Sequence, residues 1–152
     1  MRYVLVVSGF AVIAAVTWYL LRETAPAGVL SYQNSKVVSR GHALYDEFCA
    51  SCHGQDLEGE PNWRQMDEDG YLPAPPHDAS GHTWHHPDEQ LVRITSYGSE
   101  AIIGGGYKSR MPGFADQMSR EDIVAVLSFI KSTWPQSIIE RHNSINLSAA
   151  DG

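Results

Sequence analysis

Two cysteines and a histidine fall within five residues, Cys49-Ala50-Ser51-Cys52-His53, and these are the only cysteines in the chain. Two thiols three residues apart with an imidazole directly after them read as a c-type haem attachment site. Each sulfur can add to one vinyl group of the porphyrin. The adjoining histidine is then held beneath the ring, where one nitrogen can bind iron. A Cys-x-x-Cys pair can also be a redox dithiol or half of a zinc site. The first belongs to a strand-helix context, and the second needs further cysteines or paired histidines at ligand spacing. Haem attachment is the reading the residues favour.

The chain has 152 residues, enough for one small domain with a limited core. A covalently held, largely apolar macrocycle adds buried surface that the side chains alone cannot supply, so the haem is expected to be structural as well as functional.

Tyr3 to Leu21 is a run of 19 residues without a charge. At 1.5 Å per residue that is about 28 Å of helix, close to the hydrocarbon thickness of a bilayer. Tyr3, Trp18 and Tyr19 sit near its ends and Arg2 precedes it, as a cytoplasmic positive charge should. The reading is a transmembrane anchor over residues 1–22, with the N-terminus cytoplasmic and the haem domain outside. A cleaved signal peptide is the rival, because Ala25-Pro26-Ala27 has the small residues a signal peptidase wants. Either way the domain is exported. Residues 23–35 turn polar and irregular and read as a flexible linker. With Arg22 included, fourteen such residues reach about 20 Å.

Net charge is −7, and beyond Ala27 nine Lys or Arg face seventeen Asp or Glu. Nucleic acid is thereby an unsuitable partner, and an acidic surface can steer the domain toward a basic docking patch.

Along the exported part, Val37, Val38, Leu44, Tyr45 and Phe48 form the stripe of an amphipathic helix over Lys36 to Cys49. Gly41 lies on that face, where a glycine inside a helix asks for a reason such as the close approach of another helix. Gln55 to Gly81 shows no period and reads as a loop around the ring, with Trp63, Tyr71 and Leu72 turned inward. His86-Pro87-Asp88-Glu89 opens a helix that Gly98 stops. Ile102 to Gly113 is again loop. Ser119 and Asp122 resemble a capping box, and Ile123, Val126, Leu127 and Ile130 make a last helix to about Trp134. The main domain is thus 36–135. Residues 136–152 read as a tail, with a helical turn around Ile138 to His142.

An iron held by one histidine needs a sixth ligand or an open site. Met111 stands between two helices, after a glycine run and before Pro112, which stiffens its approach. It is the preferred methionine over Met66 and Met118, which suit gap-filling roles better. At this point the chain resembles the class I mono-haem c-type cytochromes, in particular bacterial ones whose axial methionine is followed by proline, over about Lys36 to Pro135. Gly41 and Tyr45 precede Cys49 by eight and four residues, as that family's glycine and aromatic do. The resemblance implies an all-α fold of three main helices around one haem c, held through Cys49 and Cys52. It implies that Gly41 and Tyr45 cross the last helix at Val126 and Phe129, and that His53 and Met111 bind the iron. It also implies that Pro75, or equally Pro76, offers its carbonyl to the other ring proton of His53. The departure is His77, where the family usually has an apolar residue beside the haem.

His77, His82, His85 and His86 crowd around Trp84. They read as exposed or propionate-bonding histidines; the alternatives are that one of them ligates the iron in place of Met111, or that they form a small copper or zinc site. Trp84 can donate its indole proton to a propionate or simply pack.

With both axial positions filled there is no place for a substrate on iron, so the expected activity is outer-sphere transfer of one electron. Met/His ligation raises the reduction potential relative to bis-histidine. The resemblance implies transfer between a quinol-oxidising complex and a terminal oxidase, by a carrier tethered to the inner membrane with its haem on the periplasmic side. Two other classes stay open: a fixed subunit of a larger redox complex, and a gas sensor or peroxidase with a labile sixth ligand.

Overall fold

The first helix, α1 (Ser35–Phe48), starts where Asn34 turns its side chain back on the chain. Asn34 Oδ1 accepts from the Lys36 and Val37 amides at 3.1 and 3.4 Å, satisfying donors that a helix start otherwise leaves unpaired. These observations come from a computed structural model that describes residues 28–151. Cys49 closes α1 and leads into a single turn, α2 (Ala50–His53). A long irregular segment follows, with a 3-10 turn at Thr83–His85, and then α3 (Asp88–Tyr97), a short α4 (Ser99–Ile103), α5 (Arg120–Ser132) and α6 (Gln136–Ala150). Every regular element among the described residues is a helix. The expected span at residues 1–22 lies outside them, and no helix among them is long and apolar enough to cross a membrane.

The fold is organised by the crossing of α1 and α5. Ser119 and Asp122 form the capping box that starts α5, each side chain bonding the other's backbone N–H. From there Ile123, Val126, Leu127 and Ile130 face the core. At Gly41 the two backbones nearly touch, since a Cβ there would lie 1.9 Å from the Ala125 carbonyl oxygen. Next to this point the Tyr45 and Phe129 rings meet at 5.5 Å. Gly41 therefore crosses α5 at Ala125 and Phe129, one residue from the expected Val126. The small Ala125 exposes its carbonyl at the contact, and Val126 turns into the core instead.

Helix α3 begins after Pro87, ends at Gly98 and packs on α5, burying Leu91, Val92 and Thr95. The segment after it is not all loop: Ser99–Ile103 adds one helical turn with no buried residue. The chain returns to α3 where the Phe114 and Ala115 amides donate to the Thr95 and Ser96 carbonyls, each at 3.0 Å. Between α2 and α3, Leu57 is the buried anchor, whereas Trp63, Tyr71 and Leu72 are only half-buried. Trp63 stacks on His82 at the surface, 5.6 Å between centroids.

The structure differs from the sequence reading at both ends of the domain. The tail is a full helix of 15 residues that buries Ile139, His142 and Asn146. Residues 28–34, read as linker, are pinned: Leu30 is buried and its amide donates to Asp88 Oδ2 at 3.0 Å. The Ser31 amide donates to Ser128 Oγ at 2.9 Å, and the Lys131 ammonium sits 4.7 Å from the centre of the Tyr32 ring. Asp88 is the hub of this end. Its amide donates to Asn146 Oδ1 at 2.7 Å, its Oδ1 accepts from Asn146 Nδ2 at 2.9 Å, and His142 Nε2 lies 3.4 Å from the same oxygen.

His142 makes folding stability depend on pH. Its Nε2–H donates to the His86 carbonyl at 2.9 Å, and its buried Nδ1 has no hydrogen-bond partner among the described residues. Burial lowers its pKa; the Lys131 charge adds to the shift, and Asp88 and the His86 carbonyl oppose it. The native chain keeps this ring neutral while the unfolded chain protonates it below about pH 6.5, so the unfolded state binds more protons as the pH falls. The contribution is complete above about pH 6.5 and is lost as pH drops through that value toward the native pKa. Denaturant midpoints at several pH values should fall on the acid side with a slope that His142→Gln, which keeps a donor for His86, reduces.

Candidate haem site

The attachment residues sit where α1 hands over to α2. Cys49 is the C-cap of α1 and half-buried, Cys52 is exposed on α2, and His53 ends α2 with its ring buried. Burial pushes the Cys49 thiol up to about 11, with the neighbouring Cys52 adding to the shift. The turn is braced from below, because the fully buried Tyr45 donates its hydroxyl proton to the Gly54 carbonyl at 2.8 Å.

His53 Nδ1 lies 2.8 Å from the Pro75 carbonyl oxygen. A carbonyl only accepts, so Nδ1 carries the proton and Nε2 keeps its lone pair, with no hydrogen-bond partner among the described residues. Burial lowers the His53 pKa, against the Pro75 bond and the Glu60 charge, which raise it. The ring is therefore a neutral imidazole with one nitrogen oriented and the other available to iron. Pro75, not Pro76, makes this contact.

His77 stacks on His53, with centroids 3.9 Å apart and planes inclined by 23°. Its Nδ1 pairs with Thr83 Oγ1 at 2.8 Å, its amide donates to the Leu57 carbonyl at 2.8 Å, and its own carbonyl accepts from Trp134 Nε1 at 2.7 Å. The ring thus forms a wall beside His53 where a flat apolar contact would serve the same packing purpose. The sequence marks His77 as a departure from the family and as one of the cluster around Trp84, but not as a neighbour stacked on His53, and it gives no role to Trp134. The signal available was an indole two residues beyond the last core helix, which has one donor and needs one acceptor when buried.

Met111, the methionine preferred as a ligand, lies in the loop between α4 and α5. It is half-buried against the core, its sulfur accepts a hydrogen bond from Ser99 Oγ at 3.4 Å, and its amide donates to Ser109 Oγ at 3.1 Å. Three residues on, Phe114 is buried edge-on to Phe48, ring centres 6.2 Å apart, which joins this loop to the end of α1 beside Cys49. The other methionines differ: Met118 is buried in the core and Met66 is exposed. Trp84 has protein partners of its own. Its indole N–H is directed to the Ala79 carbonyl at 3.4 Å and its ring packs between His85 and Arg141, so this donor already has a protein acceptor. Among the described residues no three His, Cys, Asp or Glu side chains converge to hold a metal ion, and His82 and His86 meet only edge to face.

Two sulfurs at the end of a helix, followed by a neutral imidazole whose second nitrogen is committed to a carbonyl, form a donor set that fits covalent haem. A helical domain built around such a set is a c-type haem protein. The sequence from residue 38 to 134 matches the family model for cytochrome c, and the chain belongs to the cytochrome c family. No curated protein and no solved structure matches it. Its cofactor is haem c, attached through Cys49 and Cys52, and its role is electron transfer with redox partner proteins.

Proposed function

We propose that the protein is a class I, membrane-tethered one-electron carrier of a bacterial respiratory chain. In this reading His53 and Met111 are the axial ligands, and electrons pass from a quinol-oxidising complex to a terminal oxidase. The observation that carries it is the His53 geometry: Nδ1 donates to Pro75 at 2.8 Å, which leaves Nε2 as the ligand atom. When bound, haem supplies a single-electron couple at iron. Pro75 and His77 fix the tilt of the His53 ring. Ser99 orients the Met111 sulfur while leaving it a lone pair, and the Phe48–Phe114 contact ties the Met111 loop to the end of α1.

The uncharged run at Tyr3 to Leu21 supports a retained anchor in the inner membrane, with the haem domain on its periplasmic side. Because the Leu30 amide is tied to Asp88, the chain from Leu30 onward belongs to the folded domain, and any tether to the membrane comes from the residues before it. Such a tether keeps weakly docking partners at high effective concentration. The excess of acidic residues suits a basic docking patch on those partners.

The test is the full-length protein extracted from membranes, with its intact mass and its ferric and ferrous spectra. The expected result is one porphyrin, residues 1–27 retained, and a weak ferric band near about 700 nm from an iron-methionine bond. Met111→Ala should abolish that band and open the iron to exogenous ligands. A mass lacking the porphyrin would overturn the carrier reading, and an unchanged Met111→Ala spectrum would assign the sixth position to another residue.

A further inference from the structure

The segment that carries Met111 is backed by close backbone packing on one side only; before it there are single hydrogen bonds, from Ser99 Oγ to the Met111 sulfur and from the Met111 amide to Ser109 Oγ. After it, Gly113 packs against the Ser96 and Tyr97 backbone so closely that a Cβ would fall 2.7 Å from it, and the Phe114 amide donates to Thr95. Before it, Gly104, Gly105 and Gly106 all have positive φ, and a Cβ on any of them would meet nothing within 4 Å. The run packs against nothing, and is held only by its own turns, the Gly104 amide donating to the Glu100 carbonyl and the Tyr107 amide to the Gly104 carbonyl, each at 3.0 Å. The next restraint is a pair of cations, Lys108 and Arg110, reaching across to a loop near the proximal side.

That loop has its own construction. Asp67 Oδ1 accepts from the Asp69 and Tyr71 amides at 3.0 and 2.8 Å, and the Asp67 amide donates to the Tyr71 carbonyl at 2.8 Å. Its second oxygen is therefore free to face outward, where Arg110 NH1 meets it at 2.6 Å. The guanidinium lies 4.1 Å from the centre of the Tyr71 ring, and its other nitrogen is 3.9 Å from Asp69. Lys108 Nζ donates to the Asp69 carbonyl at 2.8 Å. The base of the same loop is closed by Glu60 and Ala74, whose amides each donate to the other residue, at 2.8 and 2.6 Å. Pro75, which holds His53, is the next residue.

We infer that Arg110 is a positioning residue for Met111, and that the Asp67–Tyr71 turn is a clasp through which one loop restrains both axial arms. The inference rests on the reading of Met111 as ligand. A planar, delocalised cation suits this seat, since it can pair with a carboxylate and lie on an aromatic face together. With the clasp intact, the segment would hold the Met111 sulfur ready for the haem iron. With it broken, the glycine run lets the segment swing away and a competing ligand gains access. The Arg110 and Asp67 side chains are 55% and 33% exposed, so salt should loosen the clasp.

The experiment uses the full-length haem-loaded ferric protein and measures imidazole affinity together with the band near about 700 nm. Arg110→Ala should tighten imidazole binding on the order of tenfold and weaken the band, with Arg110→Lys in between. High salt should move wild type toward the Arg110→Ala value and leave Arg110→Ala itself unmoved. Arg120→Ala, which breaks the exposed pair with Glu89 at 2.7 Å on another face, is the control for general loosening and should bind imidazole as wild type does. If Met111→Ala abolishes the band while Arg110→Ala and wild type bind imidazole equally, the ligand reading stands and the positioning role is overturned. If Arg120→Ala matches Arg110→Ala, the effect is unspecific and the role is likewise overturned. An unchanged band in Met111→Ala removes the ligand reading and this inference with it.

Discussion

Gly41→Ala is expected to destabilise the haem-loaded protein by about 3 kcal/mol, although alanine favours a helix over glycine by about 1 kcal/mol. The added carbon would fall 1.9 Å from the Ala125 carbonyl oxygen and 3.0 Å from Phe129 Cβ. Backbone cannot yield as a flexible side chain does, so α1 and α5 must separate at their tightest point. The Tyr45–Phe129 contact lies on that crossing, and Tyr45 braces the turn that presents His53. The cost therefore spreads from packing to the site. Denaturant unfolding of wild type and variant measures it, and a difference within about 0.5 kcal/mol would show that the crossing has room to adjust.

Asp88→Ala should cost about 3 to 5 kcal/mol, the range found when one partner of a buried charged network is removed. Asp88 is 1% exposed and accepts from the Leu30 amide and Asn146 Nδ2, while its charge opposes the burial that lowers the pKa of Lys131. Without it the Leu30 amide loses its acceptor and the buried Lys131 loses a counter-charge. Four parts of the chain meet here: the 28–34 strap, α3, α5 and α6. Amide exchange should therefore quicken at Leu30 and along α6 while α2 keeps its protection. Asp88→Asn retains an acceptor oxygen and should cost less. Equal loss of protection everywhere would mean that the network has no local role.

The features legible in the sequence are those set by neighbours in the chain. The spacing of Cys49, Cys52 and His53, the stripe of α1, the Ser119–Asp122 box and the Pro87 to Gly98 limits of α3 all depend on a few consecutive residues, and each appears within a residue or two of where it was read. Gly41 announced a close helix contact by its cost. Of helix α6 only the turn at Ile138 to His142 was legible, because two of the three residues of its inner face, Ile139, His142 and Asn146, are polar and no hydrophobic period marks the rest. The strap was hidden because Leu30 is a single apolar residue in polar surroundings. The turn of α4 buries nothing and so leaves no stripe to find.

Within the site the same division holds. Chemistry written into adjacent residues named the cofactor and the side chains that attach it. The stacking of His77 on His53, the grip of Trp134 on the His77 carbonyl and the Arg110–Asp67 clasp join positions 24 to 57 residues apart. No local pattern encodes such pairs, because each partner looks ordinary until folding brings the two together. The sequence by itself determined which group this protein carries, since covalent attachment needs only two thiols and an imidazole at fixed spacing. Tertiary structure alone decided how the axial residues are held, since a hydrogen bond or ion pair between distant residues exists only once the chain between them has folded.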